Sequence, residues 1–127
     1  LVKKLIGMGK AILGARILVM GMTFKENVAD IRNSKVVDII NELKDFGVEV
    51  DVVDPYADPE EVKKMYGFRL IEKPLGNYDA VVVAVAHDAY QGLDEKYFKS
   101  LTCDKAVLVD VKGMYRDKIH ELKYWSL

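Results

Sequence analysis

The chain has 127 residues, half of them hydrophobic and 31% charged, with a net charge of −1 and a pI ≈ 6.2. That balance fits one globular domain with a core of useful size, and it excludes an overall electrostatic pull toward nucleic acid or an anionic membrane. A single cysteine, Cys103, excludes an internal disulfide and points to a reducing compartment such as the cytoplasm. The longest apolar run, residues 80–86, is far short of the ~20 residues that span a bilayer, and no signal-peptide pattern is apparent.

Residues 1–13 place Leu1, Val2, Leu5, Ile6, Met8, Ile12 and Leu13 on a broad helical face, weakened by Gly7 and Gly9. The chain opens on Leu1 rather than Met, inside this helix, so the expectation is a piece of a longer protein. Residues 16–21 are β-branched and apolar and read as a first strand covered on both faces. Ser34 suits the N-cap of the next helix, where Val36, Ile39, Ile40 and Leu43 repeat at helical spacing until Gly47. Residues 48–53 form the second strand, closed by Asp54-Pro55. Asp58-Pro59-Glu60-Glu61 opens a helix, with Asp58 as cap, Pro59 at the first position and Glu61 where a capping box wants it. Residues 68–71 suggest a short third strand, residues 80–86 the central one and residues 106–111 a fifth. Short helices are expected over 94–100 and 116–122.

Strands alternating with helices predict an α/β fold: a Rossmann-like, mostly parallel sheet of about five strands with helices on both faces and order 3-2-1-4-5. In such a sheet ligands bind at the carboxyl edge, at the switch point. The loop there, residues 21–34, holds a single glycine but two cations, Lys25 and Arg32, and an aromatic, Phe24. Asp54 follows the second strand, His87 and Asp88 the central one, and Lys112 and Arg116 the last. Several cations at one edge of a near-neutral protein suggest an anion, most simply a phosphate or pyrophosphate.

Each residue has a plainer alternative. Lys25 suits a solvated loop equally well, Arg32 a pair with Asp30, and Phe24 the core rather than a stacking platform. Asp54 stands where nucleotide-binding folds put a ribose acceptor, but the glycine fingerprint that accompanies it is absent, so it reads as a turn former. His87 reads as a satisfied structural histidine more than a catalytic one, and Cys103 as a small, partly buried residue. Two histidines and one cysteine without ligand spacing argue against a metal. No residue stands out as catalytic, and the residues alone describe a binding domain.

The series Gly21-x-Thr23-Phe24-Lys25-x-Asn27-x-x-Asp30-x-Arg32-x-Ser34 closely resembles the C-terminal, UDP-binding domain of the UDP-glucose/GDP-mannose dehydrogenase family. Asp54-Pro55, Tyr78-Asp79-Ala80, Ala86-His87-Asp88, Asp110-x-Lys112-Gly113 and Tyr124-Trp125 follow in family order, across about 100 residues from Gly14 onward. The 84–88 and 110–113 segments look most like the branch acting on UDP-N-acetylhexosamines, which feeds bacterial surface polysaccharides such as the Vi type.

The resemblance implies a four-electron oxidation of a UDP-sugar at C6, alcohol to carboxylate, with two NAD. It also implies an N-terminal domain that binds NAD, a catalytic cysteine before this region and a central helical domain that forms a homodimer. Residues 1–13 would then end the helix from that central domain, and residues 14–127 would be the UDP-sugar-binding domain, inactive by itself. By the same resemblance Phe24, Lys25 and Lys112 are substrate-binding, Arg32 reaches the NAD pyrophosphate, and Asp30 and Ser34 brace the loop. Lys112 stands where the family has Arg or Lys, and as Lys it lacks a bidentate fork. Cys103 does not inherit the nucleophile role. The alternative is a free-standing nucleotide- or phosphometabolite-binding regulatory domain.

Overall fold

A computed structural model of the chain describes residues 14–126; the expected helix over 1–13 lies outside them. Five strands, β1 (Arg16–Met20), β2 (Glu49–Val53), β3 (Tyr78–Val83), β4 (Thr102–Asp110) and β5 (Lys123–Ser126), form one sheet in the order β2-β1-β3-β4-β5. Every pairing is parallel. The helices are α1 (Val36–Asp45), α2 (Pro59–Tyr66) and α3 (Glu95–Leu101), with a 3-10 turn at Asp88–Tyr90.

The strand alternation sorts the core into two layers. Ile17, Val19, Val52, Ala80, Val82, Val107 and Val109 point to one face, where Val36, Val37, Ile40 and Leu43 of α1 and Val62 of α2 cover them. Leu18, Met20, Val81, Val83 and Leu108 point to the other, under Phe98 of α3, Tyr90 and Tyr115. Both faces are therefore dry, which is why these strands read as continuous apolar runs. Asp58 caps α2 by accepting Glu60 N–H at 2.9 Å, and Gly67 ends the helix at φ 81°. No helix among the described residues is long and apolar enough to cross a membrane.

Three local expectations are corrected. Residues 68–71 are not a strand: their ladder contact is Ile71 N–H to the Val52 carbonyl at 2.9 Å. Phe68 instead turns inward, stacked on Tyr66 with Lys44 over its ring, so packing rather than pairing sets that stretch. The vacated place in the order 3-2-1-4-5 is filled at the opposite edge by β5, beside β4. Residues 116–122 form turns rather than a helix, held by Glu95, whose carboxylate accepts the N–H groups of His120, Glu121 and Leu122. Ser34 does not cap α1, which starts one residue later behind Lys35; its hydroxyl donates to the Met22 carbonyl at 2.6 Å.

Candidate functional site

The loop after β1 is built to approach the sheet closely. Gly21 has φ 92°, and a Cβ there would stand 2.8 Å from the Cβ of Val85, so the position admits only glycine. Asn27 and Asn33 supply two further left-handed turns at φ 62° and 58°, a conformation asparagine tolerates. Phe24 N–H donates to the Asp30 carbonyl at 2.7 Å and closes the loop on itself. Ile31 is buried in the core, and the Tyr66 hydroxyl donates to its carbonyl.

Beneath the loop lies a pair with no exposed side-chain surface, Asp54 and His87. Asp54 Oδ1 accepts the N–H groups of Tyr56 and Ala57 at 2.8 and 3.0 Å, as the turn reading expects. Its Oδ2 does something else. It accepts Met22 N–H at 2.7 Å and Thr23 N–H at 3.3 Å, and lies 3.0 Å from His87 Nε2. His87 Nδ1 accepts Asn27 N–H at 3.0 Å, and Asn27 Oδ1 accepts Asp88 N–H at 2.8 Å. The loops after β1, β2 and β3 are thereby tied to one buried point. Both ring nitrogens of His87 have hydrogen-bond partners inside the fold.

A cleft of ≈ 560 Å³ opens beside this tie, lined by Thr23, Phe24, Lys25, Glu26, Asn33, Lys35, Val36, Ile39, Ala84, Val85, Val111 and Lys112. It lies within the size range of small-ligand sites. Three of the four residues singled out from sequence, Phe24, Lys25 and Lys112, meet here. Phe24 is 53% exposed, so it is not a core residue, and its ring is available at the mouth. Three lysines face one carboxylate, Glu26, over an apolar floor from Val36, Ile39, Ala84, Val85 and Val111. That combination suits an anionic ligand carrying a flat, less polar part.

Lys35 was not singled out from sequence. Its signal was position: it precedes the first residue of a helix that starts at the ligand edge. Lys112 is placed by Asp110, a fully buried carboxylate that accepts Met114 N–H and Tyr115 N–H at 3.0 and 2.7 Å and the Tyr124 hydroxyl proton. Burial, with the bond to Asp110, pushes the Tyr124 hydroxyl up to about 12.

Arg32 does not reach this cleft. It borders a separate hollow of ≈ 510 Å³ with Asp30, Ile31, Glu61, Lys64 and Met65. Asp30 accepts from its backbone N–H, Nε and Nη2 at 2.9, 3.0 and 3.1 Å. The guanidinium beside Asp30 holds that carboxyl below its ordinary range. Both ends are open to solvent, 75% and 40% exposed, so the pair adds little to stability. Arg116 lies away from the cleft, its Nε 3.3 Å from Ser126 Oγ. Cys103, half-buried, donates to Asp79 Oδ1 at 3.3 Å. Among the described residues no group of His, Cys, Asp and Glu has the makings of a metal site.

A parallel α/β domain with a lysine-rimmed cleft at the carboxyl edge of its sheet belongs to the class of Rossmann-like domains that hold anionic, nucleotide-type ligands there. The chain belongs to the UDP-glucose/GDP-mannose dehydrogenase family, whose UDP binding domain matches residues 18–117. Protein CapL of Staphylococcus aureus is 42% identical over 114 residues, covering 89% of this chain and 27% of CapL. The UDP-N-acetyl-D-glucosamine 6-dehydrogenase of Salmonella typhi is 38% identical over 113 residues, covering 88% of this chain and 27% of the enzyme. The chain thus spans about a quarter of the length of these relatives. An NDP-N-acetyl-D-galactosaminuronic acid dehydrogenase from Methanosarcina mazei superposes with a TM-score of 0.79 at 24% identity, over 98% of this chain and 27% of that one; at that identity the likeness concerns the fold.

Proposed function

We propose that this chain is the C-terminal UDP-sugar-binding domain of an NAD-dependent UDP-sugar 6-dehydrogenase that oxidises a C6 alcohol to a carboxylate for bacterial polysaccharide precursors, Vi-type or capsular. The observation that carries the reading is the meeting of Phe24, Lys25 and Lys112 in one cleft of a family UDP-binding domain. In this reading Lys25 and Lys112 neutralise the diphosphate as ammonium donors, and Phe24 offers its face to the uracil ring. A UDP-N-acetylhexosamine is the preferred substrate, because the Salmonella typhi relative is named for one.

Arg32 is assigned to NAD. Its side chain is exposed at the far end of the loop, and pairing with Asp30 uses only Nε and Nη2, so Nη1 fits a phosphate of a ligand held elsewhere. NAD supplies hydride acceptance when bound, and this chain contributes a single contact to it. Residues 1–13 continue from a central domain that forms the homodimer, and the intact enzyme is cytoplasmic. The cleft between the domains closes around the reaction.

Isothermal calorimetry with UDP tests the assignment. The chain should bind UDP weakly, and Lys25→Ala should reduce the binding free energy by about 1–3 kcal/mol if the lysine makes a charge-assisted contact. Equal affinity in wild type and variant would remove Lys25 from the site. Turnover of UDP-N-acetylglucosamine with NAD by these 127 residues alone would overturn the division of labour.

A further inference from the structure

We infer that His87 and Asp54 are positioning residues for the cleft: they fix the backbone on both sides of Phe24-Lys25 without touching a ligand. This rests on the cleft being the UDP site. The partners determine the proton's place. A backbone N–H only donates, so Nδ1, which faces Asn27 N at 3.0 Å, is the bare nitrogen. The neutral ring then carries its proton on Nε2, between Asp54 Oδ2 at 3.0 Å and Thr23 Oγ1 at 3.3 Å. Thr23 Oγ1 remains free to accept it, because its own proton goes to the Lys25 carbonyl at 2.9 Å.

The chain of bonds therefore runs from Asp54 through His87 and Thr23 to the backbone of Lys25, and through Nδ1 to Asn27. Phe24 and Lys25 lie between these anchors with side chains outside them, both exposed. His87 is fully buried, so its effect on a ligand passes through the loop. A loop held in one arrangement gives up less freedom on binding, and a loosened one lowers apparent affinity by the fraction of time it is out of place. Tyr56 and Tyr90 pack edge-on against the ring at centroid distances of 4.7 and 5.5 Å, which holds the imidazole plane itself.

The test uses the isotope-labelled chain and UDP as probe. Nitrogen NMR of the wild type should show the Nε2–H tautomer and a 15N–15N coupling through the hydrogen bond from the Asn27 amide to Nδ1. His87→Gln, whose amide nitrogen reaches toward Asp54 but which lacks the Nδ1 acceptor, should speed hydrogen exchange at Asn27 and weaken UDP binding about tenfold. His87→Asn, which keeps an acceptor near Nδ1, should recover part of that loss. Phe98→Leu, buried under the other face, should lower Tm and leave UDP affinity alone.

An Nδ1–H tautomer, or slow Asn27 exchange in a folded His87→Gln chain, overturns the inference whatever UDP does. So does fast exchange with unaltered UDP affinity. Where a variant does not fold, the wild-type tautomer and coupling still test the anchor on which the inference rests. If the wild type shows both and His87→Gln frees Asn27, yet no UDP binds to the wild type, the UDP reading fails and the loop anchor stands.

Discussion

The loop after β1 is held by two carboxylates, Asp54 with the His87 imidazole and Asp30 with the Arg32 guanidinium, and the two pairs differ in almost every physical respect. The side chains of Asp54 and His87 are wholly buried, 33 residues apart in sequence, and bonded to the backbone of the loops after β1 and β2. Asp30 and Arg32 are two residues apart, open to water, and bonded mainly to each other. A buried carboxylate without partners is costly, so the first pair is tolerated only because every oxygen is satisfied. In return it holds geometry. The second pair is screened and cheap to break, so its side chains can change partners at little cost. One loop is thus clamped at the cleft end and left adjustable at the other.

The largest test of that contrast is Asp54→Ala. It orphans four backbone N–H groups and takes from the His87 ring its nearer Nε2 partner, and should cost about 3–5 kcal/mol in urea unfolding, the range for breaking a buried charged network. A loss below about 1 kcal/mol would mean that the clamp is ornamental. Gly21→Ala comes next, at about 2 kcal/mol or more, because a Cβ both strains φ and meets Val85; a drop in UDP affinity should accompany it.

Glu95 sharpens the comparison from between the extremes, since it is partly exposed yet accepts three backbone N–H groups. The first of the causes lowering its carboxyl is the bond from Leu122 N–H. A carboxyl depressed in the folded state contributes stability that is full above its unfolded value and is lost as pH falls through the lower folded value. Amides 120–122 should therefore keep their protection at pH 5 and lose it on further acidification; loss already at neutral pH would contradict this. Smallest of all, Arg32→Ala should leave the unfolding midpoint and UDP affinity of this chain where they are. A marked change in either would show that the exposed pair holds the loop after all.

Much of the fold was legible because four strands are short β-branched runs covered on both faces, a pattern with few other uses. The missed β5 has no such pattern. Lys123–Ser126 is four residues long and only partly buried, and it is made a strand by β4 and by the Tyr124 hydroxyl bond to Asp110. Residues 68–71 erred the other way: the alternation of Phe68 and Leu70 suits a strand, but aromatic packing on Tyr66 took precedence. At the site, the meeting of Lys25 and Lys112 followed from topology alone, since both lie on loops leaving the same edge of a parallel sheet. Lys35 was passed over because Ser34 was expected to be the helix cap. The second role of Asp54 was invisible because its partners lie across the fold, and no local spacing announces a contact between residues 33 and 31 positions apart.

The contact between Gly21 and Val85 has a consequence for anyone who would alter the ligand range. Val85 is at once floor of the cleft and stop for the backbone at Gly21. Trimming it to widen the floor would also remove what the loop rests against, and enlarging it would lift the loop and with it Phe24 and Lys25. Cleft depth and loop height are a single adjustable dimension, so a redesign that changes one inherits a change in the other.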